Sequence, residues 1–168
     1  MPSYRLRLAL IAMALPFVFG CATSDPEPQP MSQVEMRNMQ TRQFDTNDSK
    51  LVMKAMLSTL QDMGFIVNSA DADLGYISAN KWTEVQHSKK EMKKAKKDET
   101  PLAQNIVLEC TANVTIQGGA ARVRANFQKK TVDTAGNTMQ AGPIEDAAFY
   151  QTFFSKVDKG LFLESSGV

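Results

Sequence analysis

Hydrophobic residues recur at helical spacing in two segments of the chain, residues 49–63 and 147–164. In the first segment the apolar positions are Leu51, Met53, Ala55, Met56, Leu60 and Met63. In the second segment they are Tyr150, Phe153, Phe154, Val157 and Leu161. Each set falls on one side of a helix. Asp45, Asn47 and Asp48 are candidate caps before the first segment, and Asp146 is the candidate cap before the second. The pattern predicts two amphipathic helices, the first of which stops at Gly64.

Strict alternation of apolar and polar residues predicts an antiparallel strand pair in the second half of the chain. The apolar positions of its first strand are Ile106, Leu108, Cys110, Ala112, Val114 and Ile116. Those of its second strand are Ala121, Val123, Ala125 and Phe127. Gly118 and Gly119 supply the tight turn between them. We expect one face of this pair to be buried and the other to be exposed to solvent.

Shorter strands are predicted on both sides of this pair. GFIVNSAD and GYISANKW are rich in β-branched and aromatic residues and are expected to form a hairpin. Residues 34–44 are expected to form a first strand, and residues 138–141 an edge strand that ends at Pro143. Two amphipathic helices and a sheet with one apolar face are sufficient to close a core. We therefore predict an α+β fold, an antiparallel sheet with two helices packed on one face, over residues 35–164.

The N-terminus has the features of an export signal. Residues 1–20 begin with Arg5 and Arg7, continue with an apolar stretch and end in a small residue, Gly20, directly before Cys21. The sequence VFGC resembles the lipobox of bacterial lipoproteins, whose cysteine receives a diacylglycerol and, after cleavage, an N-acyl chain. The resemblance implies lipidation at Cys21, with acyl chains such as palmitate as the membrane anchor. The alternative is a plain secretory signal followed by a chance cysteine.

The residues after the cysteine indicate a location and a spacer. Ala22, rather than an aspartate, follows Cys21, which by resemblance to enteric lipoproteins points to the outer membrane, at its periplasmic face. Residues 21–34 contain Pro26, Pro28 and Pro30 and little that could be buried. We interpret them as an extended spacer that holds the domain within about 40 Å of the lipid surface. The longest apolar run, residues 8–21, is shorter than a spanning helix requires, which excludes a polytopic membrane protein.

The chain resembles a family of largely uncharacterised bacterial outer-membrane lipoproteins. The resemblance rests on FDTNDSKLVMKAMLSTLQDMGFIVNSADADLGYISANK, the late strand pair and the ending EDAAFYQTFFSKVDKGLFLE, and covers residues 39–82 and 105–164. The half made of a helix, Gly-Phe, an Asp-rich turn and a strand is also similar in architecture to the small domains of BamC, an accessory lipoprotein of the outer-membrane β-barrel assembly machine. Neither resemblance implies catalytic residues.

A lysine-rich insertion, residues 83–104, separates the two halves, where the family more often has small apolar residues. Its lysines are Lys89, Lys90, Lys93, Lys94, Lys96 and Lys97. One interpretation is a solvated, partly helical excursion that packs into no core, because like charges four residues apart oppose a helix. The other is a contact with an anionic surface, such as phospholipid headgroups or an acidic protein patch. Arg122 and Arg124, on the polar face of the strand pair, are a second candidate contact.

No pattern in the sequence indicates catalysis. His87 has no second histidine or thiol at metal-ligand spacing, so we expect no metal site. Cys110 shares the apolar face of its strand and is interpreted as a small buried residue. No G-x-S-x-G, H-E-x-x-H or phosphate-binding glycine loop is present. We expect no enzymatic activity and no cofactor other than the acyl chains on Cys21.

Composition narrows the functional class further. The 168 residues include 19 basic and 18 acidic ones, so the net charge gives no reason to expect a nucleic-acid partner. Two cysteines cannot build a disulfide scaffold. The favoured hypothesis is a lipid-anchored accessory or adaptor of an envelope assembly or transport complex, with an envelope protein as partner. The alternative is a module that binds a small or lipidic ligand among its methionines and phenylalanines.

Overall fold

The structure is a computed structural model and describes residues 31–166. The signal segment, Cys21 and most of the proline-rich spacer lie outside the described residues, so the predictions made for them stay predictions. The described residues form four helices and six strands. They are α1 Gln33–Met39, β1 Thr41–Phe44, α2 Ser49–Asp62, β2 Ile66–Asp71, β3 Tyr76–Glu84, α3 Lys89–Asp98, β4 Ala103–Gln117, β5 Ala120–Asp133, β6 Thr138–Pro143 and α4 Ala147–Ser165.

The six strands form one antiparallel sheet in the order β1-β5-β4-β3-β2, and β6 also pairs with β5. β4 and β5 are the long central pair, joined at Gly118 and Gly119, both of which have positive φ angles. β1 and β6 share the outer edge of β5, β1 beside residues 121–124 and β6 beside residues 128–132. The predicted hairpin is β2 with β3. The predicted α+β fold is confirmed.

The core lies between one face of the sheet and the helices α2 and α4. The four apolar residues predicted on β5 are fully buried there, together with most of the predicted stripes of both helices. Leu51, Met63 and Leu161 of those stripes are half-buried. Phe127 is at the centre, since its ring makes edge contacts with Phe65, Phe149, Tyr150 and Phe153 at centroid distances of 4.9 to 5.8 Å. Such edge-to-face pairs add to the free energy gained by burial.

Of the three candidate caps before α2, Asp48 is the N-cap, and Asp146 caps α4 as predicted. The Asp48 side chain accepts a hydrogen bond from the backbone N–H of Leu51, and that of Asp146 accepts from Ala148 and Phe149. Each bond satisfies a donor that the first turn of a helix leaves unpaired. α2 is followed by Gly64 with φ of +81°, as its sequence predicts.

The predicted first strand, residues 34–44, is wrong in its first half. Residues 33–39 form the helix α1, and the strand begins only at Thr41. The helix starts with a capping box in which Ser32 and Glu35 satisfy each other's backbone N–H groups. This local hydrogen-bond pattern favours a helix where scattered apolar residues had suggested a strand.

Fewer apolar residues of β4 are buried than its alternation predicts. Cys110, Ala112 and Val114 are buried, but Ile106 and Leu108 are only half-buried, and Ile116 is 43% exposed. The reason is length. The 15 residues of β4 extend about 50 Å at roughly 3.4 Å per residue, whereas the helices α2 and α4 are about 21 and 28 Å long at roughly 1.5 Å per residue. The helices therefore cover only the middle of the strand.

Candidate functional site

The lysine-rich segment forms a capped helix at one end of the sheet, between the last residue of β3 and the first of β4. Ser88 is its N-cap, and its hydroxyl accepts a hydrogen bond from the N–H of Glu91. The Glu91 carboxylate accepts in return from the N–H of Ser88 at 2.8 Å. The Ser88 hydroxyl also donates to this carboxylate, at 2.7 Å. That bond, followed by the backbone one, lowers the pKa of Glu91 and keeps its negative charge at the helix N-terminus, where it is favourable. The helix ends at Glu99, with φ of +50°.

All six predicted lysines lie on this helix, α3, and all are exposed. The ion pairs found within residues 31–166 join Arg42 with Asp158, Lys54 with Glu164 and Lys130 with Glu109. Among the described residues, therefore, no carboxylate neutralises a lysine of α3. The lysines form a local positive charge that the near-neutral composition of the whole chain does not reveal.

Ala95 is the buried position of α3. It is only 7% exposed, whereas Met92, one turn earlier, is 48% exposed. At about 100° per residue, the six lysines span an arc of about 160°, and Ala95 lies about 180° from the centre of that arc. The helix thus buries its one small apolar residue on the side opposite the exposed lysines. The sequence interpretation missed this burial, although Ala95 is the one small apolar residue within the run of charges.

A shallow groove of about 420 Å³ lies beside the helix. Its walls include Met92 and Ala95 from the helix, Pro101 and Leu102 from the segment that follows it, and Thr134 from the turn after β5. Apolar side chains therefore adjoin the lysines of α3 at this end of the sheet.

The two strands next to α3 carry a second exposed apolar feature. Trp82 of β3 is 57% exposed, and its cross-strand neighbour Val107 is only 4% exposed although it points away from the main core. Lys130 is the neighbour of Val107 on the other side. The sequence pattern identified neither Val107 as buried nor Trp82 as exposed, because both depend on which neighbours the sheet places beside them.

The sheet face opposite α2 and α4, called the open face here, carries polar side chains in register across three strands. Ser78, Thr111 and Asn126 form one row. The next row is Asn80, Glu109 and Gln128. Each of these side chains is exposed or half-buried.

Arg122 and Arg124, the second predicted contact, lie on the open face and are exposed. Arg122 donates a hydrogen bond to the side-chain oxygen of Gln117 at 3.2 Å. Arg124 donates to that of Gln40 at 3.4 Å, and Gln40 in turn donates to Asn126 at 3.2 Å. Arg124, Gln40 and Asn126 line a cleft of about 330 Å³ beside α1. The structure does not bring these arginines together with the lysines of α3.

His87 and Cys110 occupy structural positions. His87 Nε2 is within hydrogen-bond distance of the carbonyl oxygen of Ala103, which ties the segment before α3 to the start of β4. Cys110 is 1% exposed, and burial raises the pKa of its thiol to about 12. A thiol with such a pKa does not supply a nucleophilic thiolate at neutral pH. Within residues 31–166, no three His, Cys, Asp or Glu side chains are placed to hold a metal ion.

The alternative hypothesis of a ligand-binding module relied on methionines and phenylalanines. Met53 and Met56 of α2 and Phe153 and Phe154 of α4 are buried against one another and the sheet in the main core. The ligand-binding alternative stays a prediction.

Within residues 31–166, no helix is both long enough and apolar enough to span a bilayer.

Comparison with known proteins adds little to this picture. No family model and no curated protein sequence matches the chain. Among solved structures, the chain is similar to a DUF4468 family protein from Bacteroides ovatus, with 12% sequence identity and a TM-score of 0.37. The match covers 72% of this chain and 84% of that one. A similarity this distant to a bacterial protein carries no argument about function.

Proposed function

We propose that the protein is a non-enzymatic lipoprotein, anchored through Cys21 at the periplasmic face of the outer membrane, that serves as an accessory or adaptor of an envelope assembly or transport complex. The observation that carries the adaptor role is the open face of the sheet. Both long helices pack on the other side, so β3, β4 and β5 are left with rows of polar side chains exposed at their centre.

The chemistry of this face suits a reversible protein contact. Its hydroxyl, amide and charged groups can form hydrogen bonds with a partner, and the Glu109–Lys130 ion pair of 2.7 Å adds both signs of charge. Interfaces between proteins that also exist separately are about as polar as ordinary protein surface. A permanent interface would instead be expected to expose a large apolar area.

The proposed location rests on the sequence of the N-terminus. The positively charged start, the apolar stretch and Gly20 before Cys21 support export and lipidation, and the resemblance to outer-membrane lipoproteins and BamC supports the accessory role. Several acyl chains hold a protein on a bilayer much more firmly than a single chain can. The proposed anchor therefore keeps the domain beside envelope proteins without a spanning helix.

Site-specific crosslinking tests the adaptor role. A photoreactive amino acid at Thr111, in the middle of the open face, is expected to give a discrete crosslinked product with an envelope protein in living cells. The same group at Ser155, exposed on the outer side of α4, is the matched control and is expected to give none. Equal products from both positions, or none from Thr111, would contradict the proposal.

The anchor is tested separately through Cys21. Mass analysis of the native protein is expected to find an acylated N-terminal cysteine with residues 1–20 removed. The Cys21→Ser variant is expected to leave the membrane fraction. An unmodified thiol at position 21 in the native protein would overturn the proposed location.

A further inference from the structure

We propose that α3 is an electrostatic docking element for a bilayer that contains anionic phospholipids, and that it holds the domain against the membrane in which the protein is anchored. The inference rests on the proposed function, because it takes the domain to be tethered beside a lipid surface. It adds a specific contact surface, the face of α3 formed by Lys89, Lys90, Lys93, Lys94, Lys96 and Lys97, called the lysine face below.

The charge of the lysine face is available to a partner. Within the described chain the six ammonium groups have no carboxylate within ion-pair distance, and Glu91, the acidic residue among them, is held by Ser88. Each lysine near a membrane with an anionic surface adds to the attraction, which fades within a Debye length. The charge is therefore complementary to phosphate-bearing headgroups.

The shape of the lysine face favours a lipid surface over a protein patch. Ala95 is buried on the opposite side of the helix, and an arc of about 160° of exposed lysines extends along about 15 Å of helix. Lysine is a flexible, strongly hydrated point charge, whereas arginine is favoured where a fixed geometry must be recognised. A row of lysines alone suits the diffuse charge of a headgroup layer. Met92, half exposed at one side of the arc, adds an apolar side chain beside the charges.

The tether allows the contact. Nine residues lie between Cys21 and Met31, the first described residue. If extended, these ten residue steps would span about 31 Å, so the tether permits α3 to contact the bilayer while the open face binds a protein partner. The two surfaces are separate, since the rows of the open face lie on the strands and the lysines on the connection between β3 and β4.

Vesicle binding tests the inference with the mature chain, residues 21–168, carrying Cys21→Ser, so that neither an acyl group nor the apolar segment before Cys21 contributes. Four lysines, Lys89, Lys90, Lys93 and Lys94, are replaced by Gln. The matched control loses the same charge elsewhere, through replacement by Gln of the exposed Lys50, Lys129, Lys156 and Lys159. Co-sedimentation is measured with vesicles of phosphatidylcholine alone and of phosphatidylcholine with phosphatidylglycerol. Circular dichroism of each variant verifies that the fold and α3 are retained.

The Cys21→Ser chain and the control variant are expected to bind phosphatidylglycerol vesicles alike, and the α3 variant on the order of 10-fold more weakly. Binding is expected to disappear at about 1 M salt, where the Debye length is about 3 Å. A double variant, Lys93→Gln with Lys94→Gln, is expected to give an intermediate loss and replaces the quadruple variant if that one unfolds.

Equal binding of all variants, or equal binding to vesicles without phosphatidylglycerol, would overturn the inference. So would the capture of a protein by a photoreactive group at Lys93 when no lysine-dependent vesicle binding is seen, because the helix would then serve an acidic protein patch. None of these results affects crosslinking from Thr111, so a failure here is distinct from a failure of the adaptor role.

Discussion

The hydroxyl oxygen of Tyr150 accepts a hydrogen bond of 3.2 Å from the backbone N–H of Phe127. This donor lies on the outer edge of β5, in the gap between the segments that pair with β1 and β6. On either side of it, Ala125 N–H donates to the carbonyl of Gln40, and the Phe127 carbonyl accepts from Ile144. A side chain of α4 thus provides the acceptor that neither edge strand supplies, and it joins the helix layer to the sheet.

Replacement of Tyr150 by Phe is expected to lower the free energy of unfolding by about 1 to 3 kcal/mol, because it leaves a buried N–H without a partner. Urea denaturation measures the change. Tyr76→Phe is the control, since Tyr76 is only half-buried on the opposite face, and its effect is expected to stay within about 0.5 kcal/mol. Equal effects of the two substitutions would show that the hydrogen bond contributes nothing specific.

Gly75 is expected to be among the least replaceable positions. A Cβ there would lie 2.2 Å from the carbonyl oxygen of Val114, and φ is +63°. Gly136 has a similar φ of +84° but no atom within 4 Å of the position its Cβ would take. Gly136→Ala should therefore cost only the strain of the left-handed conformation, about 1 to 2 kcal/mol. Gly75→Ala should cost at least about 1 kcal/mol more, because β3 and β4 must move apart. Equal melting temperatures for the two variants would contradict the predicted clash.

The turn between β5 and β6 is expected to contribute to a decrease in the free energy of unfolding as pH falls into the acidic range. The Asp133 carboxylate accepts hydrogen bonds from the backbone N–H groups of Asn137 and Ala135, each at 2.8 Å, and from the Asn137 side chain. The backbone N–H of Asn137 makes the largest contribution to lowering the pKa of Asp133 below its usual value. Because the folded-state pKa is the lower one, the stabilisation is present above the unfolded-state pKa of about 3.9 and is lost as pH falls through the folded-state pKa.

Asp133→Asn should accordingly be less stable than the parent chain at neutral pH, and the difference should shrink as pH falls below about 4. Thermal unfolding at a series of pH values measures this. Asp73→Asn, an exposed turn variant, serves as the comparison. A difference for Asp133→Asn that is independent of pH would show that the carboxylate charge is not involved.

Cys110 is expected to be unreactive in the folded chain. In the Cys21→Ser background, a thiol reagent at pH 8 should label it only as fast as the protein unfolds, because the side chain is buried and its pKa is raised to about 12. Thr111→Cys combined with Cys110→Ala places a thiol on the exposed side of the same strand and should react rapidly. Fast labelling of native Cys110 would contradict the burial of its side chain.

The same raised pKa predicts a loss of stability in alkali. The unfolded-state thiol has a pKa of about 8.5. Below that pH the Cys110 thiol is protonated in both the folded and the unfolded state, and its contribution to the free energy of unfolding is fully present. As pH rises toward 12, only the unfolded state loses its proton and stability falls. Cys110→Ala should lack this part of the alkaline decline in its unfolding free energy.

Much of the fold could be predicted because its signals are local. The helix stripes, the caps at Asp48 and Asp146 and the turn at Gly118 and Gly119 each depend on residues within a few positions of one another. The alternation of β5 predicted its buried face correctly, since that face lies under both helices for most of its apolar length. The first half of the predicted first strand was wrong because a local signal of the opposite kind is present there. The capping box of Ser32 and Glu35 starts the helix α1.

The candidate site was predicted in part. The sequence identified the lysines, since a run of like charge is visible in any single sequence. It did not show that they share one face of a capped helix or that Ala95 is buried on the other side of that helix, because the burial of a single alanine is not encoded in a run of charges.

The sequence by itself determined the helices α2 and α4, the hairpin strands and most of the buried stripe of each of these helices, all of which are encoded in short-range patterns. Only the tertiary structure decided that β1 and β6 share one edge of β5, that the ends of β4 extend beyond the helices, and that Val107 is buried on the face opposite the core. These features depend on how lengths and surfaces from remote parts of the chain meet, and the periodicity of one segment carries no information about its neighbours in space.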